Sequence, residues 1–146
     1  MTRINTLDVS LLLDEWLIAE YRELKRIPNK MRAGKYLSGW VPEDYRMGFG
    51  HERFFLDKML YLKIRHDELR DEMWARFGKE YDITVEVYDL PEYTLRDWSP
   101  EYRDHVVNVG RLRERFSERK REYHYHGKVV TEDDFLKLYG EYYDRS

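Results

Sequence analysis

The sequence predicts a mostly α-helical fold: a compact single domain of three principal helices joined by extended loops. Three observations carry that prediction. Apolar residues recur at helical spacing in three windows. Gly and Pro gather between those windows, most densely at residues 34–50. The one alternating run, "ITVEVYDL" at 83–90, has no partner strand elsewhere, so it reads as an extended connector. A chain of 146 residues is the size of one domain and long enough to bury one core. Aromatic residues make up 16%, which argues against disorder although 38% of residues are charged.

The elements follow in order. The N-terminal segment is expected to pack near the first helix. Asp8 or Ser10 caps that helix, whose apolar positions Leu13, Trp16, Leu17, Tyr21 and Leu24 share a face. It is expected to end before Pro28, because a proline disfavours helix at the preceding residue. Residues 29–50 read as loop. A long helix then runs from about His51 to Phe77, with the stripe Phe55, Met59, Leu62, Leu69 and Met73, and Gly78 stops it. Ser99 caps the third helix and Pro100 is its first residue; Val106, Val109, Leu112 and Phe116 form its apolar face. "EYHYHGK" reads as a loop. Thr131 caps a short amphipathic segment, "TEDDFLKLYGEYY".

No cysteine is present, which removes thiolate chemistry and disulfides and points to an intracellular compartment. No apolar run reaches the roughly 20 residues of a membrane span, and no secretory apolar block opens the chain. A soluble, cytoplasmic protein is expected. The net charge is −3, but the charges are segregated. Residues 19–36 carry six Lys/Arg against two Glu, and residues 109–128 carry seven against three. Residues 80–104 hold eight acids against two Arg. Two basic segments on an acidic body fit a basic binding face; alternation on solvated helices fits equally well.

Three stretches carry chemistry. If Met1 is removed, Thr2 presents an α-amine, a group with an ordinary pKa near 7.7–8.0 that is partly neutral at physiological pH. Neutral amines attack carbon electrophiles and form Schiff bases. Such an amine needs a carboxylate nearby, and "AEYRELKR" offers Glu20 and Glu23 among Arg22 and Arg26. The same stretch reads equally as a mixed-charge surface helix. "GFGHERFF" places glycines before a helix start, either an anion cradle or an ordinary N-terminus. "YHYHGK" alternates aromatics and cations, which suits stacking and phosphate contact, or a half-buried aromatic loop; its two His lack metal-ligand spacing.

Taken together, "MTRIN", "AEYRELKR", "GHERFFLDK" with "LYLKIRHDEL", "GRLRER" and "YHYHGK" resemble, in order and near-matching spacing, the pyrimidine-dimer DNA glycosylase and abasic-site lyase family, the endonuclease V-like enzymes. The resemblance covers most of residues 1–128, leaving 129–146 as an acidic C-terminal extension. It implies a mostly α fold, excision at cyclobutane pyrimidine dimers followed by strand cleavage, and no metal or organic cofactor. It implies a monomer sufficient for the chemistry, with double-stranded DNA bearing dimers or abasic sites as partner. Carried over residue by residue, it makes Thr2 the amine nucleophile and Glu23 the catalytic carboxylate. Arg3, Arg22 and Arg26 would hold phosphates and the lesion, with Tyr21 beside them. Arg111 and Arg115 would touch the DNA backbone, and Tyr123, Tyr125, Gly127 and Lys128 would form an aromatic loop against the DNA. Trp16 stands where the resemblance leads one to expect His, and Glu122 where it leads one to expect Trp. A non-catalytic DNA-binding module and a protein-interaction domain are the rival readings; the paired amine and carboxylate favour the enzyme.

Overall fold

The computed structural model describes residues 2–36, 39–118 and 120–144. Its elements are α1 (Asp14–Glu23), α2 (Arg26–Arg32), α3 (His51–Phe54), α4 (Met59–Phe77), α5 (Tyr102–Glu118), β1 (His124–Tyr125), β2 (Lys128–Val129) and α6 (Glu132–Tyr139). The fold is mostly α. Helices α1, α4 and α5, of 10, 19 and 17 residues, are the principal three. None of the described helices is long and apolar enough to cross a membrane.

The first helix starts later than its caps suggested. Asp8 accepts from the Ser10 backbone N–H at 2.9 Å, but this caps a 3-10 turn at Val9–Leu11. Helix α1 begins at Asp14 behind Leu13, which has no side-chain cap and is fully buried. Packing of Leu13 sets the start, and the acidic Asp14 and Glu15 complement the helix dipole there. The first helix ends at Glu23, before Pro28 as expected, but Pro28 itself lies in the first turn of a further helix, α2. Its missing N–H is one of the donors a helix start leaves unpaired anyway, so Pro28 is tolerated as the third residue of α2, which shortens the expected 29–50 loop.

The expected long second helix is broken at residues 55–58 into α3 and α4. The reason is burial. Phe54, Phe55 and Leu56 are 2%, 0% and 3% exposed. Consecutive side chains on a helix point about 100° apart, so three in a row cannot all face one core. The break turns all three inward. Gly78 ends α4 in the left-handed conformation, φ 69°, with its N–H on the Trp74 carbonyl, as expected. Residues 80–87 are extended and lie outside any ladder, with Val85 and Val87 buried and Glu86 and Tyr88 outward. Helix α5 starts at Tyr102 rather than Pro100. The Asp104 carboxylate reaches back to the Glu101 N–H at 2.8 Å, which places the start two residues beyond the expected Ser99 cap.

"EYHYHGK" is a hairpin and not a loop. His124 pairs with Val129 and Tyr125 with Lys128. His126 and Gly127 take φ of 51° and 80°, the two positive angles of a type I′ turn. Thr131 caps α6 in a reciprocal capping box with Asp134.

Two apolar clusters form. One joins α1, α3, α4 and the extended connector around Leu17, Phe55, Met59 and Leu62. The other joins Leu13, Trp16, Val109, Leu112 and Phe116 to Val130, Phe135 and Tyr139. The segment read as an acidic extension therefore buries three side chains against α1 and α5.

Candidate active site and nucleic-acid interface

Residues 2–7 form an extended thread through the protein. Thr2, Ile4, Asn5, Thr6 and Leu7 are at most 5% exposed. Buried backbone polar groups need partners, and side chains from three helices and one loop supply them. The Ile4 N–H donates to His51 Nε2 at 2.8 Å, and the Tyr45 hydroxyl donates to the Ile4 carbonyl at 2.8 Å. The Thr6 N–H donates to Asn108 Oδ1 at 2.8 Å. Asn5 is bridged on both sides: its amide donates to Glu20 at 2.8 Å and accepts from Asn108 at 2.9 Å. Arg65 donates to the Leu7 carbonyl and to Glu20, at 2.8 and 3.1 Å for the latter.

These partners impose protonation states. Nε2 of His51 accepts, so Nδ1 carries the proton and donates to the Arg46 carbonyl at 2.6 Å. Burial lowers the His51 pKa and favours this neutral ring. Burial pushes Tyr45 well above its ordinary value and Tyr61 up to about 12, so both stay hydroxyl donors. Burial alone would lower the Arg65 pKa; the charge and hydrogen bonds of Glu20, together with Tyr61 and Glu68, more than offset it and hold the guanidinium charged.

At the head of the thread, the Thr2 hydroxyl donates to the Glu23 backbone carbonyl at 3.3 Å. Thr2 is thereby held at the C-terminal end of α1, at the residue that bears the expected carboxylate. The Glu23 side chain is one-third exposed and pairs with Arg26 at 3.4 Å. Arg22 and Arg26 are exposed on the same stretch.

Arg3 is half-buried and has no carboxylate partner among the described residues. Its pKa is lowered, first by burial and then by Arg115 and Arg111. The two α5 guanidiniums expected on the DNA backbone thus sit close enough to Arg3 to repel it, although about 110 residues separate them in sequence. Three like charges gathered in one place favour a bound anion. Arg111 and Arg115 make only glancing pairs along their own helix, at 3.4 and 3.9 Å to Glu114 and Glu118.

The aromatic residues fall differently. Tyr21 is 1% exposed; its hydroxyl accepts from the Ile83 N–H at 2.9 Å and its ring stacks on His66. It cannot lie against DNA as expected, and it ties α1 to the extended connector instead. Tyr123 packs between Trp16 and Phe116, with centroids at 5.2 and 5.8 Å, and is near enough to Arg3 to act on its charge. Tyr125 turns away, donating to the Ser10 carbonyl at 2.7 Å beneath the Arg76 guanidinium. The Gly127 N–H is held by Asp14 at 2.9 Å, and Lys128 is exposed. Trp16 is a core residue of the second cluster. The hairpin is fastened to α1 by that helix's two leading acids. Asp14 accepts from His126 and Gly127, and Glu15 accepts from the His124 N–H and ring at 2.7 and 2.8 Å. The hydrogen bond to Glu15 raises the His124 pKa.

A buried thread, its head held beside a carboxylate-bearing helix end and close to three guanidiniums, is an arrangement chemically suited to a polyanion. The comparison with known proteins agrees. A family model described as Pyrimidine dimer DNA glycosylase matches residues 1–87, and the chain belongs to that family. The match spans the thread and α1 to α4; α5, the hairpin and α6 lie beyond it.

Proposed function

We propose that this chain is a bifunctional enzyme of its family, a pyrimidine-dimer glycosylase and abasic-site lyase working through the Thr2 amine with Met1 removed. The observation that carries the proposal is the seating of Thr2 on Glu23 beside the converging Arg3, Arg111 and Arg115. Family membership supplies the substrate class.

In this reading the three guanidiniums hold the duplex backbone, with Arg22 and Arg26 on the lesion side. A nucleotide leaves the stack so that its sugar can be reached, which costs least where damage has already weakened pairing. Cations near the Thr2 amine disfavour its protonated form. The nitrogen lone pair then bonds to C1′ of the 5′ pyrimidine's deoxyribose while the glycosidic bond breaks, its electron pair leaving with the base. Glu23 stabilises the positive charge that develops on the sugar and takes the proton lost from nitrogen. Opening of the sugar ring gives an imine. Removal of a C2′ proton expels the 3′ phosphate, and water frees the amine. One copy of the chain supplies every group named.

Glu23→Gln tests the carboxylate. The side chain is one-third exposed and its one ion pair is with Arg26, so the variant should fold normally. It should bind dimer-containing duplex within about twofold of the parent and lose at least about 100-fold in strand cleavage, the range assigned to a positioned acid–base group. Loss of binding with the same cleavage per bound complex would make Glu23 a binding residue and overturn its catalytic role.

A further inference from the structure

Two residues behind Thr2, one short stretch of chain holds both polar groups of Ile4. In an extended segment the N–H and C=O of one residue point to the same side. Here the Ile4 N–H donates to His51 Nε2 and the Ile4 carbonyl accepts from the Tyr45 hydroxyl, each at 2.8 Å. His51 is fixed in turn. Its Nδ1–H donates to the Arg46 carbonyl at 2.6 Å, its ring is 1% exposed, and Tyr45 and Phe55 meet it edge to face at 5.5 and 5.7 Å. The loop doubles back to make the Arg46 bond. Gly50 takes φ 89°, and a Cβ there would meet Arg46 Cδ at 3.0 Å and Pro42 Cγ at 3.2 Å. Glycine alone fits that return, which explains the glycine before His51 in "GFGHERFF".

The bond to Ile4 exists in one protonation state. Nε2 accepts while the ring is neutral; a second proton makes it a donor facing the Ile4 donor. Two donors opposed in a buried site leave both unpaired, so protonation breaks the anchor. Burial opposes that proton most, and Arg3 on the thread also opposes it; the Arg46 carbonyl, Glu52 of α3 and Glu20 of α1 favour it. Tyr45 beside the ring stays a neutral hydroxyl. Burial prevails, and the ring titrates below its ordinary 6.5. The anchor is therefore complete above that ordinary value and is lost as pH falls through the lowered one. Ile4 lies two residues from the amine, at most about 7 Å of extended chain.

We infer that His51 is a positioning residue for the Thr2 amine: by accepting the Ile4 N–H it sets how far the thread reaches toward Glu23, and it lets the thread go when protonated. The inference rests on the amine reading above and adds to it a buried residue that acts through the thread.

Steady-state cleavage of a duplex carrying one thymine dimer, by the parent, His51→Leu and His51→Gln, tests it. Leucine removes the acceptor. Its kcat should fall about 10- to 100-fold with KM within about twofold, because misplacing a reacting group by about an ångström costs on that scale. Glutamine offers an amide oxygen to the Ile4 N–H and should keep kcat within about threefold of the parent. The pH profile adds a readout that a purely structural role would not move. In the parent, log kcat should steepen as pH falls, from one proton on the amine to two once His51 titrates. His51→Gln should keep the shallower slope. Parent-like kcat in His51→Leu overturns the anchor and leaves the amine reading standing. Identical pH profiles for parent and His51→Gln overturn release on protonation, and this comparison decides even if His51→Leu does not fold. Failure of the parent to cut the duplex overturns both readings.

Discussion

A chain with one alanine inserted between Met1 and Thr2 is expected to bind dimer-containing DNA normally and cut it at least about 100-fold more slowly. The new terminal amine would stand up to about 3.8 Å from its proper place, one Cα step. Misplacement of a reacting group by even an ångström is costly on that scale. The structure removes the obvious escape, in which the thread slides by one residue to restore the amine. Ile4, Asn5 and Thr6 are each pinned to partners on other elements. A one-residue slip in an extended segment also turns every side chain to the opposite face, taking Ile4 and Asn5 out of their sites. Strand-cleavage rates on a duplex with a single thymine dimer check this. Turnover near that of the parent would show that the amine of residue 2 is not the nucleophile.

The second large effect is on stability. Glu20 and Arg65 pair with side chains 1% and 5% exposed. Arg65→Met would strand a buried carboxylate and leave the Leu7 carbonyl without its donor. Breaking one side of a buried pair costs about 3–5 kcal/mol, which for a domain of this size is a fall of about 6–20 °C in Tm. Replacing both partners, Glu20→Leu with Arg65→Met, should recover part of the loss, because no buried charge is then left alone. Thermal unfolding followed by circular dichroism measures both. A single variant within about 1 kcal/mol of the parent would mean that the pair is dispensable to the thread.

What the sequence discloses follows from the range of the interactions involved. Local signals were legible: the Gly78 stop, the Thr131 cap, the apolar face of α1 and the unpaired extended run over 83–87, which turns at 88–90, each depend on residues close together. The break between α3 and α4 was not, because Phe54 fits a helix locally and only the core demands all three apolar side chains. The end of α1 before Pro28 was legible, but α2 was not, because a proline fits the first turn of a helix as well as the residues after one. The hairpin was hidden because it needs a histidine, His126, in the left-handed conformation, which is uncommon for a residue other than glycine.

The site shows the same division. Thr2 and Glu23 were reached through motif order. The convergence of Arg3 with Arg111 and Arg115 spans most of the chain and leaves no trace in local charge. The residues that hold the thread did leave one. The apolar stripe of α4 skips a turn between Leu62 and Leu69, and the skipped turn contains Arg65 and His66, both buried. Polar residues that interrupt an apolar stripe are a readable sign of a buried network. Tyr21 did give a sign: it falls on the apolar face of the first helix with Leu17 and Leu24, and the core claims it although the resemblance set it beside the cations.

The central claim is that the Thr2 amine becomes covalently joined to DNA. The most direct test mixes the protein with a duplex carrying one thymine dimer, adds borohydride and maps any protein–DNA adduct by mass spectrometry. The account predicts an adduct on the Thr2 nitrogen of a chain lacking Met1. An adduct on a lysine, or cleaved DNA with no adduct, would contradict it.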